Sequence, residues 1–318
     1  MYQAIRPSRS HIIHIRQQRY HVRRWGQYRP GMAPLVLLHG WMDVSASFQF
    51  VVDALRGERL IIAPDWRGFG LTRALAAGAD GADHGPADHY LSPADYLADL
   101  DFLLDALDAE LGRGSGEAVD LVGHSMGGNV AMVYAGVRPA RVRRLVNLEG
   151  FGLPATRPAQ AAGRYANWID QLKALERGEL ELQRYDDLDG VAQRLIRTNP
   201  RLDRAKASWL AQHWSAQDEQ GRWRILGAAA HKVVNPQLYR ADETQAIWRF
   251  ITAPTLMVEA ADDSLARWFK RGEFTREEFH QRLDAVPDCR RVRVENAGHM
   301  LHHDQPAAVA RLIEDFLD

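Results

Sequence analysis

The sequence predicts an α/β fold in which helices cover both faces of a mostly parallel, twisted sheet. Short apolar runs recur along the chain, and glycine-containing turns and helical stretches separate them. Buried parallel strands appear as continuous apolar runs, because helices cover both faces of the sheet. Functional loops of such folds lie at the carboxyl ends of the strands, so the residues that follow each run are the first candidates for a site.

Composition limits the classes of function. The chain has 318 residues, of which 46% are apolar, enough for one large domain with an insertion. A formal net charge of -1 provides no general attraction for nucleic acid or an anionic membrane surface. The single cysteine, Cys289, excludes an internal disulfide, and no apolar run is long enough for a signal peptide or a membrane span. We therefore expect a cytoplasmic protein without nucleic-acid or membrane partners.

The first elements alternate in type. Polar and apolar residues alternate over residues 11–25, which predicts an antiparallel hairpin. Residues 35–38 and 60–63 form apolar strands, and residues 46–55 between them have helical periodicity. Residues 74–91 lack periodicity and are predicted to form a surface loop.

The next elements continue this alternation. Ser92 and Pro93 resemble the start of a helix that runs to about Leu111. Val119, Leu121 and Val122 predict a short buried strand, residues 142–148 predict another, and a helix is predicted between them.

The alternation of strands and helices stops after residue 152. Residues 153–246 are helical in pattern, charged and rich in tryptophan, which predicts an inserted helical cap, or lid. Its tryptophans could line a substrate pocket or form the core of the cap itself. Strands and helices resume afterwards and end in a helix over residues 306–317. We therefore assign residues 1–152 and 247–318 to the core domain and residues 153–246 to the cap.

Ser125 lies between Gly123 and Gly127, where a predicted strand turns abruptly into a helix. Only glycine allows the strand and helix backbones to approach closely there, and the tight turn exposes the serine. The first N–H groups of the helix favour a negative charge at the same point. The alternative is a serine that only caps the helix.

A serine needs a base and a carboxylate before it becomes a useful nucleophile, and His299 follows the last strand. The segments Gly123-His124-Ser125-Met126-Gly127-Gly128, Ala297-Gly298-His299 and His39-Gly40 resemble the α/β-hydrolase family. The resemblance covers residues 10–150 and 247–318. It implies a Ser125 nucleophile, a His299 base and an oxyanion hole made by the backbone N–H groups of Trp41 and Met126.

The same resemblance leaves two candidates for the triad acid. Many relatives carry it in a G-x-x-D turn after the strand that follows the cap, where this chain has Ala260-Ala261-Asp262-Asp263, with alanine in place of glycine. Others carry it one strand earlier, where Glu149 lies 24 residues after Ser125. We expect Asp263 rather than Glu149, with Asp262 as a possible substitute.

Ser125 argues against haloalkane or epoxide hydrolysis, because family members that perform those reactions use a carboxylate nucleophile. The sequence therefore predicts a serine hydrolase that cleaves a small carboxylic ester or related acyl substrate through an acyl-enzyme on Ser125, with no cofactor and no metal. A metal face formed by His299, His302, His303 and Asp304 is the weaker interpretation, since the triad already uses His299. Two other functions stay open: hydrolysis of a carbon–carbon bond in a diketone-like substrate, and a non-catalytic ligand-binding or receptor role. The sequence does not predict the oligomeric state.

Overall fold

The computed structural model describes residues 2–75, 87, 89–270 and 272–318. Most of the loop predicted over residues 74–91 lies outside the described residues. Within the described part, no helix is long and apolar enough to cross a membrane.

In the part of the chain that the structure describes, the main sheet has nine strands, and six of them form a parallel block. The strands of the protein in chain order are β1 (Arg9–Ile15), β2 (Gln18–Trp25), β3 (Leu35–Leu38), β4 (Ile61–Pro64), β5 (Arg73–Ala74), β6 (Val119–His124), β7 (Val142–Leu148), β8 (Arg184–Tyr185), β9 (Ser215–Gln217), β10 (Trp223–Ile225), β11 (Thr255–Ala260) and β12 (Cys289–Val294). The sheet order is β1-β2-β4-β3-β6-β7-β11-β12, with β5 also paired to β2. Strands β4 to β12 in this order are parallel, whereas β1, β2 and β5 pair antiparallel. The predicted mostly parallel sheet is confirmed.

Helices cover both faces of this sheet, as predicted. They are α1 (Gln49–Ala54), α2 (Ala94–Leu111), α3 (Met126–Val137), α4 (Ala161–Glu176), α5 (Leu188–Thr198), α6 (Arg204–Trp214), α7 (Ala241–Trp248), α8 (Ser264–Trp268), α9 (Arg276–Leu283), α10 (Leu301–Asp304) and α11 (Pro306–Leu317). Strand β3 shows the two layers, because Val36 packs with α2 and α3 while its neighbour Leu37 packs with α1 and α11. Successive side chains of a strand point to opposite faces, so an entirely apolar strand needs cover on both.

Local sequence patterns predicted the β1–β2 hairpin and the end of helix α2 correctly, but not the start of α2. Arg16 and Gln17 join β1 to β2 with φ angles of 43° and 59°, as a tight two-residue hairpin turn requires. Helix α2 ends before Gly112, which has a left-handed φ of 63°. The predicted Ser92 cap is wrong, because α2 begins at Ala94 and its cap position is Pro93, without a side-chain capping bond.

The segment assigned to the cap contains helices and also a small sheet that the sequence did not predict. Strands β8, β10 and β9 pair antiparallel in that order. Trp214 is buried in an apolar cluster that joins α5 and α6 to Phe50 of the core domain, and Trp209 and Trp223 pack against the same cluster. The indole N–H of Trp214 donates to Asp43 (2.9 Å), which ties the segment to the loop after β3. These three tryptophans therefore pack within this segment and against Phe50, which lies outside it in the chain.

Candidate active site

Ser125 lies at the join of β6 and α3 in a backbone conformation that residues with side chains rarely adopt. Its φ and ψ angles are 53° and -116°. The Ser125 N–H donates to the carbonyl oxygen of Leu148 (2.8 Å), and its own carbonyl accepts from the Asn129 N–H (2.9 Å). Among the described residues its side chain makes no capping bond to α3, so the helix-cap interpretation loses its support. Strain of this kind persists where the surrounding structure enforces it, most often at functional sites.

The glycines on either side are required by contact as well as by turn geometry. A Cβ atom on Gly123 would lie 2.3 Å from the carbonyl oxygen of Gly127. One on Gly127 would lie 2.1 Å from the carbonyl oxygen of Leu38, at the end of β3. Both distances are far below van der Waals contact, so the elbow closes around Ser125 only with glycine at these two positions.

The loop after β3 reaches the same point. A Cβ atom on Gly40 would lie 3.2 Å from the Cβ of Ser125. The buried His39 donates from Nδ1 to the Gly40 carbonyl oxygen (2.8 Å), and its Nε2 accepts from the Trp66 N–H (2.9 Å). Burial lowers the pKa of His39, which keeps this neutral tautomer. Because the peptide unit is planar and trans, fixing the Gly40 carbonyl also fixes the opposite direction of the Trp41 N–H.

The second predicted oxyanion donor, Met126, is the first residue of α3. The first N–H groups of a helix lack intrahelical acceptors, and the helix dipole favours negative charge beside them. The Trp41 side chain is 55% exposed, so only its backbone is a candidate for stabilising an oxyanion. Both predicted donor residues thus adjoin segments that meet at Ser125.

We expect Gly40→Ala to lower kcat/KM by about 10- to 100-fold, because the added methyl group presses on Ser125 and displaces the Trp41 N–H. The complete loss of one oxyanion donor costs about 10²- to 10³-fold, which sets the upper bound. Trp41→Ala is the matched control, since it keeps the N–H, and its kcat should stay within about threefold of wild type. Steady-state kinetics on folded variants tests the pair. A larger loss in kcat for Trp41→Ala than for Gly40→Ala would contradict the assignment of a backbone donor.

His299 faces a buried carboxylate. Its Nδ1 lies 3.3 Å from Oε2 of Glu149, which is 1% exposed and follows β7. The Glu149 carboxylate also accepts from the Ala260 N–H (2.7 Å) and the Ser264 hydroxyl (2.6 Å). The Trp268 ring packs edge-on against His299, with centroids 4.1 Å apart. Three contacts therefore position the carboxylate, and an aromatic wall lies beside the imidazole.

Burial dominates the electrostatics of this pair. It raises the pKa of Glu149 to about 7, although the hydrogen bonds from Ala260 and Ser264 favour the ionised form. Burial also lowers the pKa of His299 to about 3. The imidazole is therefore neutral at physiological pH and able to accept a proton, as a general base must be.

The structure places Glu149, and not the expected Asp263, beside His299. Asp263 is the N-cap of α8, where its carboxylate accepts from the Ala266 N–H (3.0 Å) and is 46% exposed in its side chain. Asp262 forms an ion pair with Arg201 (2.8 Å). Among the described residues, neither Asp262 nor Asp263 contacts His299, whereas Glu149 does. The physical reason is strand order: β7 lies between β6 and β11, so the residue after β7 is directed to the centre of the site.

Sequence reasoning missed three contributors to this arrangement. Ser264 gives Glu149 a hydroxyl donor, His39 orients the Gly40 peptide, and Trp268 covers His299. Ser264 directly follows Asp263, so its position at a strand end was the one available signal. The role of Trp268 depends on its contact with His299, and that of His39 on its bond to Trp66 as well as to Gly40; no local pattern reports the two distant contacts.

Comparison with known proteins agrees with this fold. A sequence profile described as "Alpha/beta hydrolase family" matches residues 35–312. The chain is 24% identical over 301 residues to a "Serine hydrolase-like protein" of Danio rerio, covering 92% of this chain and 86% of that protein. It is 38% identical over 123 residues to the "2-hydroxy-6-oxo-2,4-heptadienoate hydrolase" of Pseudomonas putida, covering 38% of each chain. A solved "Thioesterase Domain From Curacin Biosynthetic Pathway" superposes with a TM-score of 0.78 at 22% identity, covering 97% of this chain and 99% of that domain.

Proposed function

Because the chain belongs to the alpha/beta hydrolase family, we propose that it is a serine hydrolase that cleaves a small carboxylic ester or a related acyl substrate. The observation that carries the proposal is the strained Ser125 elbow, which His124 links to the His299 carbonyl, together with the contact between the His299 ring and the buried carboxylate of Glu149. A serine at such an elbow, a neutral imidazole and a carboxylate are the parts that acyl transfer to water requires.

In the proposed reaction the Ser125 hydroxyl attacks the acyl carbonyl while His299 takes its proton at Nε2. Glu149, at the opposite ring nitrogen, stabilises the imidazolium that forms. The N–H groups of Trp41 and Met126 bind the tetrahedral oxyanion. His299 then returns the proton to the leaving alcohol, which leaves an acyl group on Ser125. Water attacks this ester with His299 again as base, and the acid product leaves.

No step of this reaction requires a cofactor, since side chains and water carry every proton and electron pair. A cytoplasmic location is also part of the proposal, and it is supported by the lone Cys289, which excludes an internal disulfide. We propose no nucleic-acid or membrane partner, in keeping with the near-zero net charge of -1.

We expect kcat/KM, measured by steady-state kinetics, to fall on acidification with a midpoint near pH 7. Burial raises the pKa of Glu149 to about 7, so the carboxylate that stabilises the imidazolium is present above this pH and is lost below it. The activity that remains in Glu149→Gln should persist to a lower pH than the activity of wild type. Only His299 of the pair then titrates, and burial lowers its pKa to about 3. A flat wild-type profile between pH 5 and 8, or an unchanged midpoint in Glu149→Gln, would contradict this assignment.

A second reaction is supported by the relatives: the Pseudomonas putida protein that matches part of this chain is described as a 2-hydroxy-6-oxo-2,4-heptadienoate hydrolase. A panel of chromogenic acyl esters, thioesters, lactones and vinylogous diketones would separate the two. Turnover of esters with kcat/KM at least about 100-fold above that of every diketone supports the proposed function, since this ratio is about 2.7 kcal/mol of differential transition-state binding. The opposite preference would assign carbon–carbon bond hydrolysis, and no turnover of either class, without covalent labelling, would favour a ligand-binding role.

A further inference from the structure

We propose that Asp43, His124 and His302 form a binding site for one divalent transition-metal ion of the Zn²⁺ type. One ligand atom from each residue, an oxygen of Asp43 and a nitrogen of each histidine, lies within 4.8 Å of the other two. The three residues are 4%, 2% and 0% exposed. They are not used in the proposed reaction.

The hydrogen bonds of His124 determine which of its nitrogens is available. Its Nε2 lies 2.8 Å from the carbonyl oxygen of His299, and a carbonyl can only accept, so Nε2 carries the proton. In the neutral imidazole the lone pair is then on Nδ1. This atom is buried and has no hydrogen-bond partner among the described residues. His124 thus has one buried nitrogen with a lone pair available to a metal ion.

The other two ligands also have free buried atoms. Oδ1 of Asp43 accepts from the N–H of Val44 (2.9 Å) and from the indole N–H of Trp214 (2.9 Å). Its Oδ2 has no partner within the described part of the chain, and neither do both ring nitrogens of His302. Buried polar atoms in native proteins are nearly always bonded, so three that converge without partners indicate a bound species. A cation bonded to all three would satisfy them together.

The donor set selects the kind of ion. Two imidazole nitrogens and one carboxylate oxygen suit Zn²⁺, whereas Ca²⁺ and Mg²⁺ prefer oxygen ligands alone. Zn²⁺ binds such atoms at about 2.0–2.1 Å, which places the donors of a tetrahedral site about 3.3 Å apart. The donors now lie within 4.8 Å of one another, so binding would draw them together. Water would complete the site.

His303 borders the site without completing it. Its ring centroid lies 4.2 Å from that of His302, and its Nε2 is bonded to the Ser47 hydroxyl (2.7 Å). The metal face suggested by the sequence, which included His299 and Asp304, is not the set that converges. His299 faces Glu149, and the carboxylate of Asp304 accepts from Asn199 (2.8 Å) and Gly298 (2.8 Å).

Each proposed ligand belongs to a different segment of the active site. Asp43 follows Trp41 by two positions, His124 directly precedes Ser125, and His302 follows His299 by three positions. An ion bound to all three would hold the oxyanion loop, the serine elbow and the histidine loop in one arrangement. The proposed ion is therefore structural, and it does not take part in the hydrolysis.

Metal binding can be measured without catalysis, so the test is separate from the proposed function. Chelator-treated wild-type and Ser125→Ala proteins would be titrated with Zn²⁺ against a chromogenic chelator, and with Co²⁺ for its visible absorption. We expect one ion per chain in both proteins and Co²⁺ bands of tetrahedral intensity. His302→Gln should weaken the affinity at least about 100-fold, since removal of a ligand costs at least as much as removal of its supporting contacts. His213→Gln, which changes a half-buried histidine outside the cluster, should bind like wild type.

The absence of stoichiometric binding at micromolar Zn²⁺, or equal affinities of His302→Gln and wild type, would overturn the site. If His302→Gln does not fold by thermal melting, Asp43→Asn replaces it with the same expected loss. Crystals of the wild-type protein grown with Zn²⁺ give an independent answer from anomalous diffraction. A peak bonded to the three side chains supports the site, and a water molecule without anomalous signal there overturns it.

Discussion

Ser125→Ala is expected to lower kcat/KM by about 10⁵- to 10⁶-fold and to leave the fold intact. Triad members act as a unit, so the loss of the nucleophile removes nearly all of the catalysis that the triad provides. Alanine keeps the Cβ atom, and it can adopt the backbone that the elbow enforces at φ 53°. The free energy of unfolding should therefore change little. Steady-state hydrolysis of the best ester, together with urea unfolding, measures both quantities.

Ser115→Ala is the matched control, because Ser115 lies on an exposed turn before β6. Its kcat/KM should equal that of wild type within about twofold, as expected for a surface substitution away from the site. If Ser125→Ala kept more than about 1% of the wild-type activity, Ser125 would not be the nucleophile. A loss of less than about 100-fold is far smaller than the loss expected for a disabled triad.

Glu149→Gln is expected to cost about 10⁴-fold in kcat/KM, whereas Asp263→Asn should stay within about tenfold of wild type. The amide nearly preserves the shape of the side chain, but it can favour the wrong imidazole tautomer and cannot stabilise the imidazolium. Glu149 lies 3.3 Å from Nδ1 of His299, whereas Asp263 caps α8. Kinetics of the two variants, each checked for folding, separates the candidates directly.

The role of Asp263 as the N-cap of helix α8 provides the control within this comparison. Asn is also a good N-cap residue, so Asp263→Asn should keep α8 and most of the stability. A loss of about a thousandfold in Asp263→Asn, with Glu149→Gln near wild type, would restore the order that the sequence suggested and would require His299 to turn away from Glu149.

Local sequence patterns were sufficient to predict most strands of the main sheet and the helices that cover it. An apolar run such as residues 35–38 identifies a strand buried on both faces, and the glycines around Ser125 indicate the elbow before any coordinates are known. The cap sheet could not be found in this way, because strands as short as Arg184–Tyr185 are too short to show a periodicity of two.

The site depends on contacts that chain order does not determine. Both Glu149 and Asp263 follow strands and both fit the order of a triad, so the sequence leaves the acid open. The spatial order β6-β7-β11 and the positive φ of Glu149 (57°) decide which carboxylate meets His299. The proposed metal ligands Asp43, His124 and His302 are likewise distant in sequence and come together only in the folded chain.

Ser125 can be identified as the nucleophile by intact-protein mass spectrometry after reaction with a fluorophosphonate, followed by peptide mapping. We expect one adduct per chain, located on the peptide that contains Ser125 and absent in Ser125→Ala. Labelling should also be slowed strongly in Glu149→Gln, since the same base activates the serine for the probe. A wild-type protein that stays unlabelled, or an alanine variant labelled as fully as wild type, would contradict the account.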